Sequence, residues 1–256
     1  MYKRQIFYAR AFVYWTAGQN ETALADLTKA IAHRDDFADA FNLRGVCNVR
    51  LKNVELAITD FTRAIELGMD DASAFLNRAK TFLELDLLEF ALPDLLDAVE
   101  RDPEMSTQLQ KLVKDLTQEL QVRGSSKIYA NRALALHYSG CVEPAMKDLS
   151  MALSIAQGPQ ETAMVLSRSA QMRIYDNDFL GAITECSRAV QVDPDCTLAF
   201  YLAGLCYSGL GHVEESRTTF IHCQVVAKQQ GFAGSEYYRS ICQAELGALG
   251  AVEAVA

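Results

Sequence analysis

Alanine recurs at a fixed interval of thirty-four residues, at Ala23, Ala57 and Ala91, and each has a companion seven residues later at Ala30, Ala64 and Ala98. A repeat this short cannot bury its own apolar face. It must stack against copies of itself, and the chain is therefore restricted to an array of helical units. After an interruption the same columns return at Ala145 and Ala152 and at Ala182 and Ala189, then weaken to Ser216 and Cys223. Another small residue sits early in each unit, at Ala11, Gly45, Ala79, Ala133, Ser169 and Gly204, four positions after a large one at Phe7, Phe41, Phe75, Tyr129, Val165 and Phe200. Leu27, Phe61, Leu95, Leu149, Cys186 and Phe220 form a further apolar column. Apolar residues at helical spacing make one buried stripe, and small ones let two helices approach closely.

An arginine and an acid accompany these columns. The pairs are Arg10 with Asp26, Arg44 with Asp60, Arg78 with Asp94, Arg132 with Asp148, and Arg168 with Glu185; the sixth unit has Ala203 and Thr219 instead. Joint loss points to one interaction copied along the array. The arginine falls on the first helix of a unit and the acid on the second, so the expected bond is a cross-helix bridge within one hairpin. The alternative is solvated charges on an exposed face, contributing at most about 1 kcal/mol each.

These columns resemble the tetratricopeptide-repeat family over about three quarters of the chain. The fullest copy is Phe75, Ala79, Phe82, Leu85, Ala91, Leu95, Ala98 and Pro103, and Asp193-Pro194 closes the fifth unit as Asp102-Pro103 closes the third. The resemblance implies an all-α, right-handed superhelical solenoid of helix-turn-helix hairpins. It also implies a binding scaffold, without naming the ligand.

The expected organisation is two three-repeat blocks joined by a long amphipathic helix. Residues 1–5 read as a non-native, adapter-derived extension, and repeats one to three occupy 6–103. The linking or capping helix spans 104–124, with Met105, Leu109, Leu112, Val113, Leu116 and Leu120 on one face. Its expected role is to seal the open end of repeat three, with docking or dimerisation as the alternative. Repeats four to six occupy 125–228, with extra residues at Gly158-Pro159 and Asp176-Asn177-Asp178 assigned to loops. Residues 229–256 supply a final helix, about Ser235 to Leu249, and a frayed tail. Pro93 lies inside a predicted helix and is expected to bend it.

Half of the 256 residues are hydrophobic and 22% are charged, enough for a continuous core without disulfides or metal. The net charge of -9 disfavours nucleic acid, and no apolar stretch reaches the roughly 20 residues that span a bilayer. The seven cysteines form no CxxC pair and the four histidines no ligand spacing. Structural thiols in a reducing, cytoplasmic compartment are expected, with no cofactor and no metal. No serine–histidine–acid order or phosphate loop appears, so the chain is not expected to be an enzyme.

The resemblance places ligands on the concave surface lined by the first helices. Carried onto this sequence, that surface offers Tyr8, Phe12, Trp15, Asn42, Val46, Asn77, Lys80 and Leu83 in the first block and Lys127, Asn131, His137 and Tyr201 in the second. The family's carboxylate clamp for acidic chaperone tails is not matched: Tyr8, Phe12, Leu43, Ser73 and Asn77 stand in one block and Ala130, Leu134, Ser167, Leu198 and Leu202 in the other. What remains is an apolar groove with amides at Asn77 and Asn131, suited to an extended peptide or a partner helix. Self-association, and membership of a larger multidomain protein, are the alternatives.

Overall fold

The computed structural model describes residues 2–33, 35–69, 72–232 and 234–253, with side chains from residue 5 to residue 250. Met1, the side chains of 2–4 and the end of the tail (254–256) lie outside the described residues. The two sequence expectations for the chain ends fall partly there. Every regular element among the described residues is helical, and the chain divides into two compact units, 1–108 and 109–256.

The first unit contains α1 (Tyr2–Thr16), α2 (Asn20–His33), α3 (Ala38–Arg50), α4 (Val54–Glu66), α5 (Ala72–Glu84) and α6 (Leu88–Arg101). Consecutive helices pack as hairpins and each hairpin packs on the next. The columns explain why. Ala11, Ala23, Ala30, Ala57, Ala64, Ala79, Ala91 and Ala98 are all fully buried, so backbones approach where a larger side chain would hold them apart. The turn inside each hairpin places one residue in the left-handed region: Gly18 in the first, Lys52 (φ 63°) and Asp86 (φ 61°) in the next two. Non-glycine residues rarely adopt this conformation.

A size rule governs the closest contact. A Cβ built on Gly45 would lie 2.6 Å from the Phe61 ring, and one on Gly204 would lie 2.6 Å from the Phe220 ring. These are the two units in which the large column is phenylalanine. Where it is leucine, at Leu27, Leu95 and Leu149, the facing residue is Ala11, Ala79 or Ala133. Small and large residues thus compensate in volume from unit to unit, as close packing demands.

The 3₁₀ turn Pro103–Met105 follows α6; the Asp102 carboxylate caps it by accepting from the Glu104 N–H at 3.0 Å. α7 (Ser106–Val122) comes next, with Leu109 buried and Leu112, Val113, Leu116 and Leu120 half-buried.

The second unit continues with α8 (Ser126–Tyr138), α9 (Val142–Ile155), α10 (Gly158–Tyr175), α11 (Phe179–Val192), α12 (Thr197–Gly209), α13 (Val213–Gln230) and α14 (Ser235–Glu253). α8, α10 and α12 pack side by side, each paired with its following helix, and α14 lies against both α12 and α13. Two expectations change. Gly158 and Pro159 are not a loop insertion but open α10, where Pro159 falls at a first-turn position that needs no N–H donor. The last helix runs to Glu253, past the Leu249 boundary. α6 runs without a break through Pro93.

Candidate functional site

Four of the arginine–acid pairs are formed as cross-helix bridges. Arg10 Nε lies 2.6 Å from Asp26, Arg44 Nη2 2.6 Å from Asp60, Arg78 Nη2 2.7 Å from Asp94, and Arg132 Nε 2.6 Å from Asp148. Each links the two helices of one hairpin, with two guanidinium nitrogens on the carboxylate. All four acids are buried, and Asp60 also accepts from Asn48 Nδ2 at 3.0 Å. The spare Nη1 of Arg78 reaches back to Thr62 Oγ1 at 2.9 Å, and that of Arg132 to Thr117 Oγ1 on α7 at 3.3 Å. In the fifth unit Arg168 is itself buried and donates to Asn131 and Gln171, while Glu185 accepts from Arg188 at 2.9 Å.

The acids of two of these bridges respond to them in opposite directions. Hydrogen bonds from Arg10 hold the Asp26 carboxyl below its usual range, whereas burial raises Asp94 by more than Arg78 offsets. The guanidinium exposures fit this contrast, with the Arg10 side chain 49% accessible and that of Arg78 16%.

The first unit carries a groove of about 360 Å³, lined by Tyr8, Phe12, Trp15, Asp39, Asn42, Leu43, Val46, Met69, Ser73 and Asn77. Its walls come from α1, α3 and α5, the first helices of the three hairpins, with Met69 added from the segment before α5. Six of the residues selected from sequence meet here: Tyr8, Phe12, Trp15, Asn42, Val46 and Asn77. Phe12 is 46% exposed and stacks at a tilt on Trp15, with ring centroids 5.4 Å apart. The Arg50 guanidinium covers the Trp15 ring at 4.8 Å, and its Nη1 donates to the Trp15 carbonyl at 3.2 Å. Asn77 Nδ2 donates to Asn42 Oδ1, and Asn42 Nδ2 donates to Ser73 Oγ, both at 3.1 Å. An amide ladder therefore runs along the groove floor from one hairpin to the next. Tyr8 is half-buried, and its hydroxyl pKa is raised by burial first and by the Asp39 charge second.

Lys80 is exposed and Leu83 half-buried, but neither lines this groove. In the second unit Lys127 is exposed, whereas Asn131, His137 and Tyr201 are buried to 7%, 5% and 6% accessibility and offer no ligand surface. The reason is neighbouring side chains that column position does not reveal. Asn131 lies under Arg168, and His137 is held by Asp176 at 3.0 Å and edged by Tyr175. Tyr201 packs edge-on against Tyr238 of α14. Asp39, which sequence reading did not select, is the one charged residue of the groove lining. Its one sequence signal was the acid-rich run Asp35, Asp36 and Asp39.

Burial pushes the Cys47 thiol up to about 11 and the Cys206 thiol up to about 12, so both stay protonated and unreactive at neutral pH. No cluster of three or more His, Cys, Asp or Glu able to hold a metal occurs among the described residues. No described helix is long and apolar enough to cross a membrane.

Stacked two-helix hairpins with small-residue seams and a groove along their first helices define a helical-repeat protein. Residues 8–72 match the family model for the tetratricopeptide repeat, a stretch that holds most of the groove. Over that stretch the chain is similar to the tetratricopeptide-repeat family.

Several solved structures are similar to it. YrrB, a tetratricopeptide-repeat protein with an unusual peptide-binding site, is 20% identical with a TM-score of 0.40, over 75% of this chain and 88% of its own. The first such domain of Spaghetti (RPAP3), bound to the HSP90 peptide SRMEEVD, is 23% identical with a TM-score of 0.42, over 45% and 94% respectively. The TPR2AB domain of yeast Sti1, in complex with HSP90, is 15% identical with a TM-score of 0.42, over 94% and 98%. No curated protein matches the chain.

Proposed function

We propose that this chain is a non-catalytic protein-interaction scaffold whose first unit takes a short peptide segment in the groove along α1, α3 and α5. The observation that carries the reading is the groove's construction. Exposed Phe12 and the faces of Tyr8, Trp15 and Val46 supply apolar contact, and the Asn42–Asn77 ladder supplies oriented donors and acceptors beside them. An apolar wall with a few placed polar groups is the usual composition of a binding site, and about 360 Å³ lies at the small end of the range, enough for a few side chains. Aromatic residues at such a surface are the ones that carry binding energy. Asn77 and Asn42 can each direct a remaining amide hydrogen toward a ligand carbonyl without breaking the ladder.

The reading has a direct reporter, because Trp15 is the chain's single tryptophan. Titration with a peptide library should shift its emission, and the peptides that do so should bind Phe12→Ala at least tenfold more weakly, the loss of about 1.4 kcal/mol or more expected of a hot-spot aromatic. Because Phe12 is about half exposed and lies outside the buried core, this variant should fold as the parent does. Peptides that bind the parent and Phe12→Ala equally would place the site elsewhere.

A further inference from the structure

We infer that the groove of the first unit selects a peptide carrying a basic side chain next to its apolar anchors. This deepens the groove reading above and rests on it. Asp39 is the one charged side chain among the lining residues, and it holds no ion pair among the described residues. The arginines of the neighbouring columns are already committed: Arg10 to Asp26, Arg44 to Asp60, and Arg78 to Asp94. Arg50 is spent on the Trp15 ring and carbonyl.

The groove therefore has a polarity. Its Trp15 end already holds a cation, while its Asp39 end offers a carboxylate without an ion pair among the described residues, whose charge is felt at Tyr8. A ligand ammonium or guanidinium reaching Asp39 would complete the charge balance, with the adjoining apolar residues of the peptide lying on Phe12, Trp15 and Val46. An acidic peptide would bring like charge to Asp39, which is the reverse of what a cationic clamp recognises.

The test uses the full chain and three synthetic peptides with the same phenylalanine and leucine anchors, carrying two lysines, two glutamines or two glutamates. Trp15 emission reads the affinity. The lysine peptide should bind about fivefold tighter than the glutamine peptide, as one partly exposed ion pair allows, and the glutamate peptide should bind weakest. The order should flatten in high salt and in Asp39→Asn, whose circular dichroism should match the parent. Equal affinity for all three peptides, or preference for glutamate, overturns the inference while leaving the groove reading intact. Absence of any Trp15 response overturns both. A Trp15 spectrum that changes with protein concentration alone would assign the groove to a second copy of the chain, and that too overturns the inference.

Discussion

The volume compensation between Gly45 and Phe61 makes a prediction that the structure can quantify. A methyl group on Gly45 would sit 2.6 Å from the Phe61 ring, well inside the roughly 3.5–4.0 Å at which carbon atoms attract. Phe61 is fully buried and cannot swing into solvent. Gly45→Ala should gain about 1 kcal/mol of helix propensity but lose about 3 kcal/mol to overpacking, for a net loss of roughly 2 kcal/mol. Phe61→Leu should lose on the order of 1–2 kcal/mol to the space left over the glycine. The double variant recreates the Ala11/Leu27 and Ala79/Leu95 pairs of the neighbouring hairpins, and should unfold within about 1 kcal/mol of the parent. Thermal unfolding by far-UV circular dichroism is the assay. At roughly 2–4 °C per kcal/mol for a chain of this size, the first single variant should melt about 4–8 °C below the parent and the double variant should recover most of that. If the two single losses simply add in the double variant, the columns do not compensate and the reasoning fails.

The ion pairs and the carboxylates behind them supply further outcomes. Arg44→Ala leaves the buried Asp60 carboxylate with Asn48 alone and should cost about 3 kcal/mol, whereas Arg44→Ala combined with Asp60→Ala should cost less than the sum of the two single changes; strict additivity in a urea-unfolding cycle would refute the bridge. Asp26 and Asp94 should impose opposite pH dependences. The lowered pKa of Asp26 gives stability that is present above about pH 4 and lost as pH falls through the folded value, so the gap between parent and Asp26→Asn should close on acidification. The raised pKa of Asp94 gives stability that is full below about pH 4 and lost as pH rises through the folded value, so the gap to Asp94→Asn should narrow in the other direction. Parallel pH profiles for the two variants would contradict this assignment.

Repeat position made the hairpins legible from the sequence, because a buried alanine and its large partner must recur wherever two helices meet. It also placed Tyr8, Phe12, Trp15, Asn42, Val46 and Asn77 on one surface, since all six lie on first helices of adjacent units. It could not show which residues of that surface stay uncovered. Asn131 and Tyr201 occupy comparable positions, yet a buried arginine from the next hairpin covers one and the terminal helix covers the other. Those coverings depend on side chains that differ from unit to unit. Asp39 was missed for the complementary reason: an acid in the first turn of a helix reads as an ordinary favourable charge on the helix dipole, and only its place in the groove lining distinguishes it.

The backward reach of Arg78 to Thr62, and of Arg132 to Thr117, makes each arginine a joint between successive elements as well as a clasp within its own hairpin. Two residues beyond the acid column, whose sixth member is Thr219, the chain carries a hydroxyl at Thr28, Thr62, Ser150 and Ser187, but an aliphatic side chain at Leu96 and Ile221. Those two positions close the third and the sixth hairpins. In the second hairpin that hydroxyl, Thr62, accepts from Arg78 of its successor, whereas a leucine or isoleucine at the same position offers no acceptor. A hairpin grafted directly behind Leu96 would therefore lack, at this position, the acceptor that Thr62 gives Arg78.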